Sequence, residues 1–177
     1  AAADADLVVT SGGVSAGAFD VVRAATQPSG TMWFGHVAQR PGGPQGVGTF
    51  AGTPLLCLPG NPVAAFVSAH LYLVPLIRAF AGRTAGLRLE NRPRVRAEVA
   101  ESFTRPHPEK TLIVPVQLLF DAASVHATQC FPGAGSHRVA SLSGADGLAV
   151  LPPAGAGRAG SSPGVPRTVD VLPTRAL

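Results

Sequence analysis

One strand-turn-helix segment constrains the fold of this chain more than any other. An apolar run, Leu55–Leu58, predicts a buried strand and is followed at once by Pro-Gly-Asn-Pro. Asn61 is a typical helix N-cap residue, and Pro62 suits the first helical position, where its missing N–H costs nothing. We therefore predict a helix that begins at Pro62 and stops at Gly82, with a kink or a restarted last turn at Pro75, which lacks a backbone donor.

The chain opens with a second unit of the same kind. Leu7–Thr10 is a short apolar run that ends in a Ser-Gly-Gly turn, and Phe19–Thr26 has helical spacing. A further strand is predicted for Met32–Ala38, and a Gly/Pro-rich loop for Arg40–Gly48. The three strands suit a buried, mostly parallel sheet. Because a doubly wound sheet has its first strand and helix before this point, we expect a preceding segment to be missing.

The sequence pattern changes after Arg83. The strand-like segments beyond it are Arg94–Ala100, Leu112–Leu118, Ser124–Cys130, Gly147–Leu151 and Thr168–Leu172. Pro/Gly turns separate them, which favours a small antiparallel β domain. We predict an α/β three-layer domain with a partial doubly wound, mostly parallel sheet over residues 1–84, followed by a small antiparallel β-barrel-like domain over residues 92–177.

Charge and composition exclude several classes of protein. The net charge of +4 comes entirely from residues 81–177. Nucleic-acid binding is not expected, because no aromatic residues interleave with the basic ones. Cys57 and Cys130 are not spaced as a zinc site or a disulfide framework. The apolar runs are broken by Gly, Pro or His before the ~20 residues that a bilayer requires, so we expect a cytoplasmic protein without a membrane partner.

Two strand-to-helix turns carry the candidate cofactor-binding residues. The first consists of Thr10, Ser11, Gly12, Gly13, Val14 and Ser15, and the second of Pro59, Gly60, Asn61 and Pro62. Glycines allow close backbone approach, and N–H groups at a helix start can face an anion. If both turns follow strands of one sheet they converge on one crevice. Each turn alone is equally compatible with a structural role, as a chain reversal or a helix cap.

Two charged residues accompany these turns. Arg40 precedes Pro41 and Gly42 in an extended loop, and its guanidinium could bind phosphate or another oxyanion bidentately. Asp20 lies just beyond the first turn and could hold Mg²⁺ or take part in catalysis. A solvated turn and a helix-stabilising carboxylate are the alternative interpretations of the two residues.

Taken in order, these motifs resemble the molybdopterin molybdenumtransferase family, which includes MoeA and the gephyrin E domain. The matching segments are residues 6–15 with Gly17 and Asp20, residues 40–44, residues 58–63, and, in the second half, residues 133–137 and 145–152. Three motifs in order are far more specific than any one of them, and the resemblance covers nearly the whole chain.

The resemblance implies a homodimeric enzyme of molybdenum cofactor biosynthesis, able to contact other proteins of that synthesis. Its substrates would be molybdate and adenylylated molybdopterin, and its products the molybdenum cofactor and AMP, with Mg²⁺ as the metal. The two glycine turns, together with Pro41 and Gly42, would contact the pterin phosphate or the nucleotide. Asp20 would serve the metal-dependent chemistry, and Arg40 would help to hold molybdate or phosphate.

Two departures from the family pattern leave alternatives open. Family members commonly have Lys where this chain has Gly43, so one cation is lost. The opening part of the α/β domain and the domains before it are also absent, so we expect that this chain does not complete the reaction by itself. A non-catalytic molybdopterin-binding or scaffold module is the main alternative. A pterin-adenylylating relative would generally lack residues 92–177. A serine hydrolase is disfavoured because Ser15 lies too far beyond the strand.

Overall fold

The computed structural model describes residues 4–14, 20–29, 31–100, 103–104, 106–130, 139–154 and 166–174. The described strands are β1 (Val8–Ser11), β2 (Met32–His36), β3 (Gln39–Arg40), β4 (Pro44–Phe50), β5 (Thr53–Leu58), β6 (Val95–Val99), β7 (Thr111–Phe120), β8 (Val125–Gln129), β9 (Gly147–Leu151) and β10 (Thr168–Pro173). The α-helices are α1 (Val21–Thr26), α2 (Pro62–Ser68) and α3 (Val74–Phe80), with a π-helical turn, Ala69–Leu73, between the last two.

The first half forms a mixed four-stranded sheet with helices on both faces. Its strand order is β1-β5-β4-β2. Leu55 and Cys57 pack on the same side as Val22 of α1, whereas Leu56 faces Leu71 and the long helix on the other side. The predicted three-layer arrangement is confirmed.

The three predicted strands β1, β5 and β2 all run in the same direction, as expected, but only β1 and β5 are direct neighbours, because β4 lies between β5 and β2. The neighbours β2–β4 and β4–β5 are antiparallel, and β4 occupies most of the segment for which the sequence predicted a loop. The cause is a two-residue hairpin at Ala51-Gly52, where both residues have positive φ angles, 51° and 82°. This turn twists in the sense that a hairpin requires, so it directs β4 back alongside β5.

The long helix begins and ends as its sequence predicts. Asn61 Oδ1 accepts hydrogen bonds from the N–H groups of Val63 and Ala64, at 3.1 and 3.2 Å, and Pro62 is the first helical residue. At the other end, the N–H of Gly82 bonds to the carbonyl of Ala79. These local hydrogen bonds satisfy groups that would otherwise lack a partner at each helix end.

Pro75 interrupts this helix and produces the π-helical turn. The N–H of Val74 bonds to the carbonyl of Ala69, five residues earlier, and Pro75 has no N–H to offer. The carbonyls of His70 and Leu71 therefore lose their usual α-helical donors. Arg92 replaces them, because its guanidinium donates to His70 O at 3.2 Å and to Leu71 O at 2.7 Å.

Arg92 also holds the segment that leads into the second half. It donates to the carbonyls of Gly86 and Leu87, at 3.1 and 3.2 Å. Burial lowers the pKa of Arg92, and nearby Arg78 lowers it further, which is the expected sign for a partly desolvated cation. One side chain thus connects the break in the helix to the loop that follows it.

The second half closes into a five-stranded barrel. Its strand order is β7-β8-β6-β10-β9, and β9 pairs again with β7 to complete the ring. Most pairings are antiparallel, as predicted, but β6 and β8 are parallel. The barrel core includes Val116, Ala149 and Val171, all with no exposed surface.

The two halves share a strand and a core. The strand β3 pairs with β7 in parallel, opposite Thr111 and Leu112, although it precedes β4 in the chain. Val67 and Leu71 of the long helix pack with Ile113, Leu148 and Leu172. By length and composition alone the helix Pro62–Phe80 meets the criterion for a membrane span. One face of this helix, which includes Val67 and Leu71, packs on the barrel, and about a third of its most apolar window is buried (33%). The division at residues 84–92 stays a prediction.

We expect Arg92→Met to lower the free energy of unfolding by roughly 2–4 kcal/mol, since the carbonyls of His70 and Leu71 would lose their donors. Arg88→Met is the control, because Arg88 is 80% exposed and its contact with Glu90 is 3.9 Å long. Urea denaturation measures both changes. Equal effects of the two variants would contradict this role of Arg92.

Pro75→Ala, which restores an N–H for Leu71 O, should reduce the cost of Arg92→Met in a double-mutant cycle.

Candidate functional site

The two glycine turns meet at the carboxyl ends of β1 and β5. These strands are parallel neighbours in which Ser11 lies opposite Leu58. The N–H of Gly12 donates to the carbonyl of Leu58 at 2.9 Å. A Cβ atom on Gly60 would lie 3.1 Å from the Cα atom of Gly12, which is tighter than nine in ten real Cβ contacts. Only a small residue at position 60 allows the two turns to pack this closely.

A cleft of about 900 Å³ opens beside these turns. The predicted site residues that line it are Gly12, Gly13, Val14, Asp20, Arg40, Pro41, Gly42, Pro59, Gly60 and Asn61. The structure therefore brings the first turn and nearby Asp20 together with the loop at residues 40–42 (the Arg40 loop) and the turn at residues 59–61, which lie far from them in the sequence.

Three predicted residues do not line this cleft. Thr10 lies opposite Cys57 within the sheet, and Ser11 Oγ donates to the carbonyl of Pro59 at 3.2 Å, so it fastens one turn to the other. Pro62 is the first residue of α2. Ser15 lies outside the described residues, as do Gly17 and residues 133–137.

The cap of α2 limits how this helix can bind an anion. Asn61 already accepts the N–H groups of Val63 and Ala64. These two first-turn N–H groups are therefore not available to a ligand, whereas a simple anion site at a helix N-terminus would use them. Gly13 and Gly60 line the cleft and have no side chain, so a ligand can approach their backbone closely.

Arg40 lies at the seam, the place where the α/β half meets the barrel. It is the last residue of β3 and pairs with Leu112 of the barrel, while its side chain is exposed in the cleft. Among the described lining residues, Arg40 is the only Arg or Lys, and Asp20 is the only Asp or Glu. Within the described part of the chain Arg40 has no carboxylate partner. Its charge is thus available to an anionic ligand.

A buried polar cluster fixes the loop that follows Arg40. Gln45 Nε2 donates to Gly42 O at 2.8 Å and to Ser68 Oγ at 2.7 Å. Gln39 Nε2 donates to Pro41 O at 3.1 Å, and Gln39 Oε1 accepts a hydrogen bond from the hydroxyl of Tyr72. Sequence reasoning missed this cluster, because a Gln within a Gly/Pro-rich segment carries no periodic signal. It anchors the Arg40 loop to the long helix.

The barrel supplies the other wall of the cleft. Its described lining residues include Thr104, Pro106, His107, Pro108, Leu112, Val114 and Gln129. None of them belongs to a motif recognised in the sequence. A Pro-His-Pro tripeptide indicates only a rigid turn, so the pairing of β3 with β7 was needed to identify this wall.

The structure has no described cluster suited to bind a metal through protein ligands alone. No group of three or more His, Cys, Asp or Glu side chains is so arranged in the ranges given above. Asp20 is a single carboxylate that a ligand would have to complement. A Mg²⁺ ion bound mainly through substrate phosphates fits this donor set, because Mg²⁺ commonly takes one or two carboxylates together with phosphate oxygens and water.

A Ser-His-Asp cluster on the β7–β8 hairpin is not a catalytic triad. Ser124 Oγ and Asp121 Oδ2 both contact the same nitrogen of His126, Nε2, at 3.0 and 2.9 Å. A relay requires the serine and the carboxylate on opposite ring nitrogens. Hydrogen bonds from the backbone N–H groups of Ala123 and Ser124 and from the side chain of His126 lower the pKa of Asp121 to about 2. The cluster stabilises a surface turn.

Comparisons with known proteins agree on one family for both halves. The family described as "Probable molybdopterin binding domain" matches residues 1–79, and that described as "MoeA C-terminal region (domain IV)" matches residues 96–165. The chain is 38% identical over 157 residues to "Molybdopterin molybdenumtransferase 2" of Mycobacterium tuberculosis, covering 85% of this chain and 37% of that protein. It is 30% identical over 171 residues to "Molybdopterin molybdenumtransferase" of Staphylococcus aureus, covering 96% and 38%.

A solved structure shares the fold. The molybdopterin biosynthesis MoeA protein of Pyrococcus horikoshii superposes with a TM-score of 0.67 at 22% sequence identity, covering 99% of this chain and 39% of that one. The chain spans a little over a third of the length of the curated relatives it matches.

Gly42→Ala should destabilise the protein more than Gly52→Ala, by roughly 1–3 kcal/mol. Both glycines have φ near +80°, so both substitutions carry the same backbone strain, at positions where an Ala costs about 1–2 kcal/mol. Only the Cβ at position 42 meets other atoms, with Ser68 Oγ at 2.8 Å. Thermal and urea unfolding measure the difference, which should shrink when Ser68→Ala is added. Equal costs for the two glycines would show that the buried cluster does not confine this loop.

Proposed function

The chain belongs to the MoeA family of molybdopterin molybdenumtransferases, and from this premise we propose that it acts in molybdenum cofactor biosynthesis. The site that it carries is for insertion of molybdate into adenylylated molybdopterin, in which the adenylate is hydrolysed with release of AMP, a reaction that this chain is not expected to complete by itself. The observation that carries the proposal is the convergence of two glycine turns, Arg40 and Asp20 on one large cleft. An adenylylated pterin carries several negative charges, and this cleft can meet them with a cation and with backbone donors.

In this proposal the glycine turns bind the phosphates of the substrate. Gly13 and Gly60 line the cleft, and the absence of side chains lets a phosphate approach their backbone N–H groups closely. Gly12, Val14, Pro59 and Asn61 shape this part of the cleft. Ser11 acts indirectly by fastening the two turns together.

Arg40 and Asp20 have complementary roles. Arg40 binds molybdate or a phosphate oxygen and stabilises the negative charge that develops during hydrolysis. Pro41 and Gly42 keep it in position through the buried cluster. Asp20 would hold Mg²⁺, which supplies positive charge to the phosphates when it is bound. A homodimer, contacts with other proteins of the same synthesis and a cytoplasmic location belong to the same proposal.

A non-catalytic molybdopterin-binding module is the second candidate. Gly43 favours this candidate. The family resemblance leads one to expect Lys at this position, and Gly carries no charge. A cleft with a single cation among its described lining residues binds an anionic substrate more weakly and stabilises a transition state less.

Calorimetric titration of the chain with molybdopterin-AMP tests the proposal and separates the two candidates. The titration is run with and without Mg²⁺ and molybdate, and AMP release is followed in the same samples. Binding with AMP release that depends on molybdate supports the molybdenumtransferase. Binding without release favours the binding module. No binding under any condition contradicts both assignments for this chain.

Arg40→Gln should weaken the binding of molybdopterin-AMP about tenfold or more, since a charge-assisted contact is lost. The fold should persist, because Arg40 pairs with Leu112 through its backbone. Arg88→Gln, which removes an exposed cation outside the cleft, is the matched control. Similar losses in both variants would show that general charge, and not Arg40, governs affinity.

Gly43→Lys should raise the affinity for the same ligand by roughly 3–10-fold at low salt, because it restores a cation beside the cleft. A Cβ atom fits at this position, because the nearest atoms to it, His36 Cδ2 and Val37 O, are 3.6 Å away, at ordinary van der Waals contact. Gly43→Gln controls for side-chain length without charge. The gain should fall as salt is added, and a gain equal to that of the Gln variant would rule out an electrostatic cause.

A further inference from the structure

His107 stands on the wall of the cleft that the barrel supplies, outside every sequence motif considered above. It is half-buried and lies between Pro106 and Pro108, which line the cleft with it. Prolines on both sides restrict the backbone of this loop. A side chain presented from such a loop loses little conformational entropy when a ligand binds.

The imidazole of His107 is held by its own loop. Its Nδ1 atom accepts hydrogen bonds from the backbone N–H groups of Glu109 and Lys110, at 3.1 and 3.2 Å. The carbonyl of His107 accepts the N–H of Ala154 at 2.9 Å, which fixes the main chain as well. The position of the ring is therefore set in the absence of any ligand.

These contacts determine which nitrogen carries the hydrogen. A ring nitrogen that accepts two N–H groups carries no hydrogen itself, so the neutral ring is protonated on Nε2. The Nδ1 edge faces the loop of His107, and Nε2 lies on the opposite edge. Because His107 lines the cleft, Nε2–H is the one hydrogen-bond donor that its neutral ring can offer to a ligand there.

We propose that His107 is a substrate-binding residue whose Nε2–H donates to a phosphate oxygen of the bound nucleotide, an inference that rests on the function proposed above. A donor-only group selects acceptor atoms, and phosphate oxygens are the strongest acceptors that an adenylylated substrate carries. His107 then contacts the substrate from the barrel side, and Arg40 and the glycine turns contact it from the α/β side. The barrel is part of the binding site and not only a support.

Two variants separate this role from a purely structural one. In His107→Asn the Oδ1 atom can accept the same two N–H groups, as Asn does in turns, but no donor remains at the place of Nε2. This variant should keep the stability of the parent protein. His107→Ala removes both the acceptor and the donor and should lose stability as well as affinity. Glu109→Gln leaves the backbone contact in place and serves as the control.

The experiment compares the affinities of AMP and adenosine for the parent protein and these variants, measured by calorimetry. His107→Asn should weaken AMP about tenfold and leave adenosine within about twofold, because only AMP has the phosphate. An unchanged AMP affinity in a stable His107→Asn variant would overturn the inference while leaving the proposed function intact. If the parent binds neither AMP nor molybdopterin-AMP, the proposed function fails and the inference fails with it.

A spectroscopic measurement tests the ring itself. Long-range ¹H–¹⁵N spectra of the protein should show Nδ1 unprotonated and Nε2 protonated in His107 before any ligand is added. Addition of AMP should shift Nε2 of His107 much more than Nε2 of His126, which lies on the distant β7–β8 hairpin. A protonated Nδ1, or equal shifts at the two histidines, would contradict the proposed contact.

Discussion

The parallel pairing of β1 with β5 is the constraint on which the candidate site depends. It places the carboxyl ends of two strands side by side, so the turns that follow them have to share one small space. Gly12 and Gly60 make this possible, since a Cβ on Gly60 would come within 3.1 Å of the opposing Cα atom. Neither turn forms a cleft alone. The cleft exists because two reversals of the chain occur at the same edge of the sheet.

The other side of the site depends on a connection between the two halves of the molecule. The short strand β3 leaves the α/β sheet and pairs with β7 of the barrel, which puts Arg40 at the seam. Buried Gln39 and Gln45 then hold the following loop against the long helix. Four hydrogen bonds of these two amides define the position of the loop, although Gln45 Oε1 is buried without a partner among the described residues. The placement of a single cation therefore draws on both sheets and the helix.

Sequence reasoning succeeded where the determining interactions are local. The helix from Pro62 follows from Asn61 and Pro62, which act within one turn, and the barrel strands follow from alternating residues and Pro/Gly turns. The strand β4 was missed because its glycines and Pro44 resemble a loop and only its partners β2 and β5 make it a strand. The Ala51-Gly52 turn was the available signal. His107 could not be identified from the sequence, because it lines the cleft only as a result of the pairing of β3 with β7, two strands that are far apart in the chain. The family motifs supplied the candidate substrate, which no periodicity could indicate.

The guanidinium of Arg92 has a consequence for how the molecule assembles. It reaches back from the segment between the two predicted domains to the carbonyls that Pro75 leaves open, and it binds its own loop through Gly86 and Leu87. The helix cannot complete its polar contacts until that loop has folded over it. The helix in turn provides apolar surface to the barrel through Val67 and Leu71. The α/β half and the barrel are thus expected to fold cooperatively, and a cut between them would separate a helix from the residue that completes it.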